Sequence, residues 1–261
     1  MDSPTLKNKP ISLVSLYINT WQIIKANWLN SLKILFFVVV LCLILFTLLV
    51  FLWGILVKFN INNIPDLVAV RLFWQLIAGL VYFLISALIQ FLLLNLFLNP
   101  SLKFLENLKA FKKYFWQFCC LTIILNVIFF FFSVPLYVGF FFYSLDNIFL
   151  GIISIILGYL LIILYVSYLL FSPILLIEKN LTCLESMKSS ILLASNHAFN
   201  IFWKILILAI ILILLNIAAL FVLNLPYLGL PLAIFILCFM VLLIFANVFA
   251  LYQNFKALKN A

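Results

Sequence analysis

Charge is scarce in this chain. Fifteen bases and six acids make up only 8% of its 261 residues, where a soluble domain carries about a quarter. Glycine is scarcer still, six in all and none clustered. That excludes a glycine-rich loop to cradle phosphates and a Gly-x-x-x-Gly packing motif. A single histidine, His197, and six scattered carboxylates give no metal-ligand spacing. There is no Gly-x-Ser-x-Gly, no Walker loop and no His-Glu-x-x-His. The five cysteines (Cys42, Cys119, Cys120, Cys183, Cys238) show no paired extracellular spacing. Adjacent Cys119 and Cys120 admit a metal or redox pair, but with no histidine or acid nearby small apolar packing residues are preferred. Arginine occurs once against fourteen lysines, and isoleucine, asparagine and phenylalanine abound, a bias that suggests an AT-rich bacterial genome.

What the chain has instead is apolar length, with 69% of its residues hydrophobic. Six runs stand out, at 32–57, 72–98, 117–142, 148–172, 201–224 and 228–252. A bilayer core of ~30 Å takes about 20 helical residues, so each run is long enough to cross. The runs are continuous rather than alternating, which excludes the ~10-residue strands of a barrel. With every backbone polar group to be satisfied inside lipid, helices remain. The expected fold is all-α, a polytopic membrane bundle of six transmembrane helices forming a single domain over 1–261. Polar groups occur throughout the first 31 residues and the first apolar run is too long for a signal h-region, so no cleavable signal is expected. Short polar breaks at Ser144, Asp146 and Asn147, and at Asn224, Pro226, Tyr227 and Gly229, mark tight turns.

Lysine and arginine set the orientation. Eleven of the fifteen bases fall before span one, between spans two and three, between spans four and five, or after span six, and two more, Lys33 and Lys204, stand in the first turns of spans one and five on the same side. Only Lys58 and Arg71 fall on the other side. Both termini are therefore expected in the cytoplasm, in a bacterial inner membrane. The net charge of +9 is then a cytoplasmic-face feature rather than a nucleic-acid signature. Anionic headgroups attract such residues by ~1 kcal/mol each, so membrane lipids are the expected partners. A membrane-protein partner or a second copy of the chain stays open.

Each pair of spans is preceded by an amphipathic stretch of helical period, at 12–31, 101–117 and 182–200. Thr182 and Glu185 form a capping box at the start of the third. Trp28, Trp116 and Trp203 mark the passage from stretch to span. The pattern reads as three cytoplasmic interfacial helices and a threefold internal repeat, with units of about 12–98, 101–178 and 182–255. Duplication builds transporters and also inert bundles.

Intramembrane charge would point to function, and there is essentially none. Lys33, Lys58, Arg71, Glu178 and Lys204 stand at span ends, where long side chains snorkel to water. Asn126, Asn216 and Asn247 lie deeper and read as interhelical hydrogen-bond formers worth roughly 0.6–2 kcal/mol each, in preference to a polar substrate path. Pro135, with Gly139 four residues on, should kink the third span, and Pro173 closes the fourth. Gly54, Gly79, Gly139, Gly151 and Gly158 read as scattered packing or kink points. His197 reads as a solvated interfacial residue. Its nearest acid on the same stretch, Glu185, is twelve residues away, ~18 Å by helical rise.

The stretch around Pro173–Leu193 carries a resemblance. A proline closes a span, an apolar run ends in Glu178, and a helix bears Ser186, Met187, Lys188, Ser189 and Ser190. In these features the chain resembles the YciC-type bacterial inner-membrane proteins and the related membrane domain of some glycerophosphodiester phosphodiesterases. The resemblance implies a six-span cytoplasmic-membrane protein and carries over no catalytic residues. No soluble phosphodiesterase domain is expected, so that activity is not implied. Pro135, Pro173, Glu178, Glu185, Ser186, Lys188, Ser189 and His197 are the candidate structural or functional residues. No catalytic, cofactor or metal site is expected. The reading favoured from sequence is a non-enzymatic envelope accessory or scaffold. A permease for an apolar or lipid-like solute comes second. A lipid-modifying enzyme, which would need Glu185 and His197 to cooperate, comes last.

Overall fold

The computed structural model describes residues 11–59, 64–145, 147–195, 197–224 and 228–260. The turn residues Asp146, Pro226 and Tyr227, and the N-terminal Lys7 and Lys9, lie outside them. Eight helices follow in order: α1 Leu13–Phe59, α2 Ile64–Leu98, α3 Phe104–Ser144, α4 Ile148–Leu169, α5 Ser172–Lys179, α6 Cys183–Ser195, α7 Ala198–Leu223 and α8 Gly229–Asn260. No strand occurs among the described residues. Six helical segments are long and apolar enough to cross a membrane: Leu13–Phe51, Ile77–Leu98, Phe104–Ser144, Ile148–Lys179, Ala198–Leu223 and Gly229–Leu258. The protein is an all-α, multi-pass membrane bundle. Phe130, Phe131, Phe141, Phe149 and Phe221 stand exposed along these helices, a surface suited to lipid rather than to water.

The three amphipathic stretches are helical, but they differ. The first two run on into their spans as the opening turns of α1 and α3, because no glycine or proline interrupts either passage. The third is a separate helix, α6, parted from α7 by a turn at His197. Each begins with a side chain that accepts a backbone N–H three residues away. Ser12 Oγ accepts from Ser15 N–H at 3.2 Å, and Glu106 Oε2 from Lys103 N–H at 3.1 Å. Glu185 Oε2 takes Thr182 N–H at 3.0 Å and Thr182 Oγ1 at 2.8 Å. These contacts satisfy donors that a helix start leaves free.

The chain divides into two compact units, Trp28–Lys113 and Met1–Asn27 with Tyr114–Ala261. In the first, the end of α2 from Phe91 to Phe97 is buried on every side. Asn95 Nδ2 donates to Asn107 Oδ1 at 2.7 Å and Asn107 Nδ2 to the Leu92 carbonyl at 2.9 Å, closing the corner into α3. Phe91 and Phe111 pack with ring centroids 5.2 Å apart.

In the second unit α3 continues through Pro135, and α3 and α4 meet along a glycine seam. A Cβ on Gly139 would stand 2.8 Å from Ile155 N and 2.9 Å from the Gly151 carbonyl oxygen. One on Gly158 would stand 2.7 Å from Leu136 N. Three glycines read from sequence as scattered thus converge on one close helix approach. Tyr165 stacks on Phe132 at 5.4 Å and donates its hydroxyl to the Leu125 carbonyl at 2.5 Å.

Candidate functional site

Several polar side chains of the second unit meet where α5, α6 and the end of α8 come together. Pro173 sits in the first turn of α5, directly after the break that ends α4 at Leu169. A proline there loses no helical hydrogen bond and stops the previous helix from continuing. Residues 172–177 are all buried, so the ends at the break need partners within the protein. Ser190 supplies them from α6: its Oγ accepts Phe171 N–H at 3.2 Å and donates to the Tyr168 carbonyl at 2.8 Å. Asn180 ends α5 in the left-handed region at φ 50°, which asparagine tolerates, and Tyr114 donates its hydroxyl to the Asn180 side chain.

Glu178 does not snorkel freely. Lys256 Nζ donates to its Oε1 at 2.5 Å, and the Tyr252 hydroxyl donates to Oε2. Both carboxylate oxygens are engaged in holding α5 to α8. Beside this lock lies a pocket of about 170 Å³ lined by Lys179, Ser189, Tyr252, Lys256 and three leucines. The Lys179 ammonium, the Ser189 hydroxyl and the N–H groups of Lys256 not bound to Glu178 are the donors it offers an anion, against the opposing charge of Glu178.

The remaining sequence candidates separate. Glu185 is exposed and serves as the α6 cap; the Thr182 backbone N–H and hydroxyl, then Lys188, hold its carboxyl below the usual value. Lys188 is exposed. Ser186 is buried and donates to the Cys183 carbonyl at 2.7 Å. Pro135 lies on α3, away from this cluster in sequence and within the glycine-lined hairpin. His197 stands at the start of α7, its ring stacked on Phe255 at 5.0 Å, and caps nothing with its side chain. Its neighbour Asn196 lies outside the described residues.

Lys204, Asn247 and Asn126 also correct the sequence reading, and a further feature was not visible to it. Lys204, assigned to a snorkelling span end, is turned inward: it is 3% exposed and its Nζ has no hydrogen-bond partner among the described residues. The Phe255 ring faces the ammonium, 5.5 Å from centroid to Nζ. A lysine near a helix end reaches water only if its side of the helix is open, and α8 covers this side. Asn247 is wholly buried with neither amide atom hydrogen-bonded among the described residues, so it is not the interhelical bond former expected. Asn126 bonds its own helix, to the Thr122 carbonyl at 2.8 Å, and Asn216 stands on α7. The further feature is a thiol contact between Cys183 and Cys120, with Cys183 Sγ 3.5 Å from the Gln117 carbonyl oxygen. The sequence had directed attention to Cys119 beside Cys120.

One signal for the shared architecture was in the sequence. Leu102-Lys103-Phe104-Leu105-Glu106-Asn107-Leu108-Lys109 aligns without gaps with Leu181-Thr182-Cys183-Leu184-Glu185-Ser186-Met187-Lys188. The alignment superimposes the two glutamates that cap α3 and α6. Among the described residues no group of three or more His, Cys, Asp or Glu could hold a metal ion. No protein-family model, curated protein or solved structure matches the chain.

Proposed function

We propose that this chain is a non-enzymatic accessory or scaffold protein of the bacterial cytoplasmic membrane, YciC-like, with both termini cytoplasmic. The observation that carries the reading is the Glu178 lock. The acid that ends the α5 run spends both oxygens on Tyr252 and Lys256, so it fixes helices rather than standing ready as a base. The lysine-rich ends of the helices support the orientation. They also support anionic lipids as partners at the cytoplasmic surface, where each base contributes ~1 kcal/mol.

Two measurements test this. A reporter active only outside the cytoplasm, fused after Ala261, should stay silent; strong activity overturns the topology. Complementation of a deletion strain tests the role. Glu185→Gln, Ser189→Ala and His197→Ala should all complement at normal protein level, and Glu178→Gln should fail only in proportion to protein lost. A reactive-group variant present at normal level but unable to complement would sink the scaffold reading.

A further inference from the structure

The strongest unexplained feature is a cavity within the membrane-spanning part of the second unit. It holds about 170 Å³ and lies among α4, α7 and α8. Leu208, Asn247, Val248 and Leu251 form its buried floor, and half-buried Val166 and Leu212 stand at its rim. Every lining residue except Asn247 is aliphatic. Asn247 is 0% exposed, and both its amide nitrogen and its amide oxygen lack a partner among the described residues. It lies five residues before Tyr252, the end of the last apolar run, or about 8 Å along the helix.

An amide buried there has no bulk water to satisfy it. A lone trapped water is a poor substitute, because a buried water needs two to four polar partners and this cavity offers one amide. The volume is comparable to that of apolar cavities that stay dry and take up a small hydrocarbon. The rim is only half-buried, so the body of a longer molecule has a way out toward lipid.

We propose that this cavity binds the head of a neutral, lipid-like amphiphile, with one hydroxyl or carbonyl group seated on the Asn247 amide and its hydrocarbon body against the leucines. A charged head is excluded, because no counter-charge lines the cavity. The site stands whether or not the scaffold reading holds.

The test uses the full chain in detergent with two photoreactive probes, a diazirine-bearing octanol and the matching diazirine-bearing octane. On irradiation the octanol probe should label peptides from α7 and α8 that contain Leu208 or Val248, and excess octanol should suppress the labelling. It should label at least about fivefold more than the octane probe, the ratio that ~1 kcal/mol for one hydrogen bond gives. Asn247→Leu, which fills the same space without an orphan amide, should erase that difference, and Leu208→Trp should abolish labelling by both probes. Labelling elsewhere, labelling not suppressed by octanol, or equal yield from the two probes on the unmodified protein overturns the proposal. Because the two probes are compared on the unmodified chain, that result is independent of whether either variant folds.

Discussion

Lys204 on α7 buries its ammonium over the ring of Phe255 on α8, 5.5 Å from the centroid, and makes no hydrogen bond there among the described residues. A cation–π contact returns ~0.5–2 kcal/mol, whereas burying an ammonium costs several. Lys204→Met keeps the length and apolar contacts of the stem and removes the charge. It should stabilise the protein by roughly 1–3 kcal/mol on these figures, read as a higher thermal midpoint in detergent. A lower midpoint would show that the ammonium has a partner in solution.

The glycine seam gives a prediction of opposite sign. Gly158→Ala would place a methyl 2.7 Å from Leu136 N and 2.9 Å from Leu136 Cα. Backbone atoms cannot swing aside as a side chain can, so α3 and α4 must part. Overpacking of this kind costs about 1–3 kcal/mol. Gly79→Ala, which meets nothing within 4 Å, should be neutral or stabilising by up to ~1 kcal/mol through helix propensity. The two variants, melted side by side, separate close packing from a general glycine effect.

Cys183 should react slowly with thiol reagents at neutral pH. Burial, then the hydrogen bond and charge of Cys120, push its thiol up to about 12, and the thiolate is the reactive form. In a protein retaining only Cys120 and Cys183, labelling of Cys183 should rise roughly tenfold per pH unit between about pH 8 and 10. Replacing Cys120 by Ser should speed it. Fast labelling that levels off above about pH 8.5, the ordinary thiol range, would place Cys183 in an open loop.

The α6 cap should be acid-sensitive. Thr182 holds the Glu185 carboxyl below its ordinary value of 4.5, so the folded form releases its proton more readily than the unfolded chain. The stabilisation is complete above the unfolded pKa and is lost as pH falls through the lower folded pKa. Glu185→Gln should lower the thermal midpoint at about pH 7 and leave it unchanged at about pH 2.5, below the carboxylate range. An equal effect at both pH values would mean that the carboxylate charge plays no part in the cap.

The Thr182–Glu185 cap was legible because a capping box is local: four residues contain both partners. The matching Lys103–Glu106 cap lay in the aligned segment at 102–109, but a lysine is not a capping residue and did not mark a helix start. Pro173 as a stop was legible for the same local reason. Ser190 as the hydroxyl that bridges that stop was not, since nineteen residues separate it from Phe171. Lys33 and Lys204 look alike in the sequence, each near the start of an apolar run, yet one is exposed and the other buried.

The sequence by itself determined that this chain enters a membrane, that it does so as helices, and which six runs are long and apolar enough to cross. Those outcomes follow from transfer free energies that add residue by residue along a run, and from backbone groups that lipid leaves no other way to satisfy. The tertiary structure decided which side of each helix faces inward. It joined Glu178 to Tyr252 and Lys256, gathered Gly139, Gly151 and Gly158 into one seam, and closed Lys204 and Asn247 away from water. In helices this uniformly apolar, hydropathy carries almost no signal for rotation about the axis. That rotation is fixed only by contacts between residues far apart in the chain.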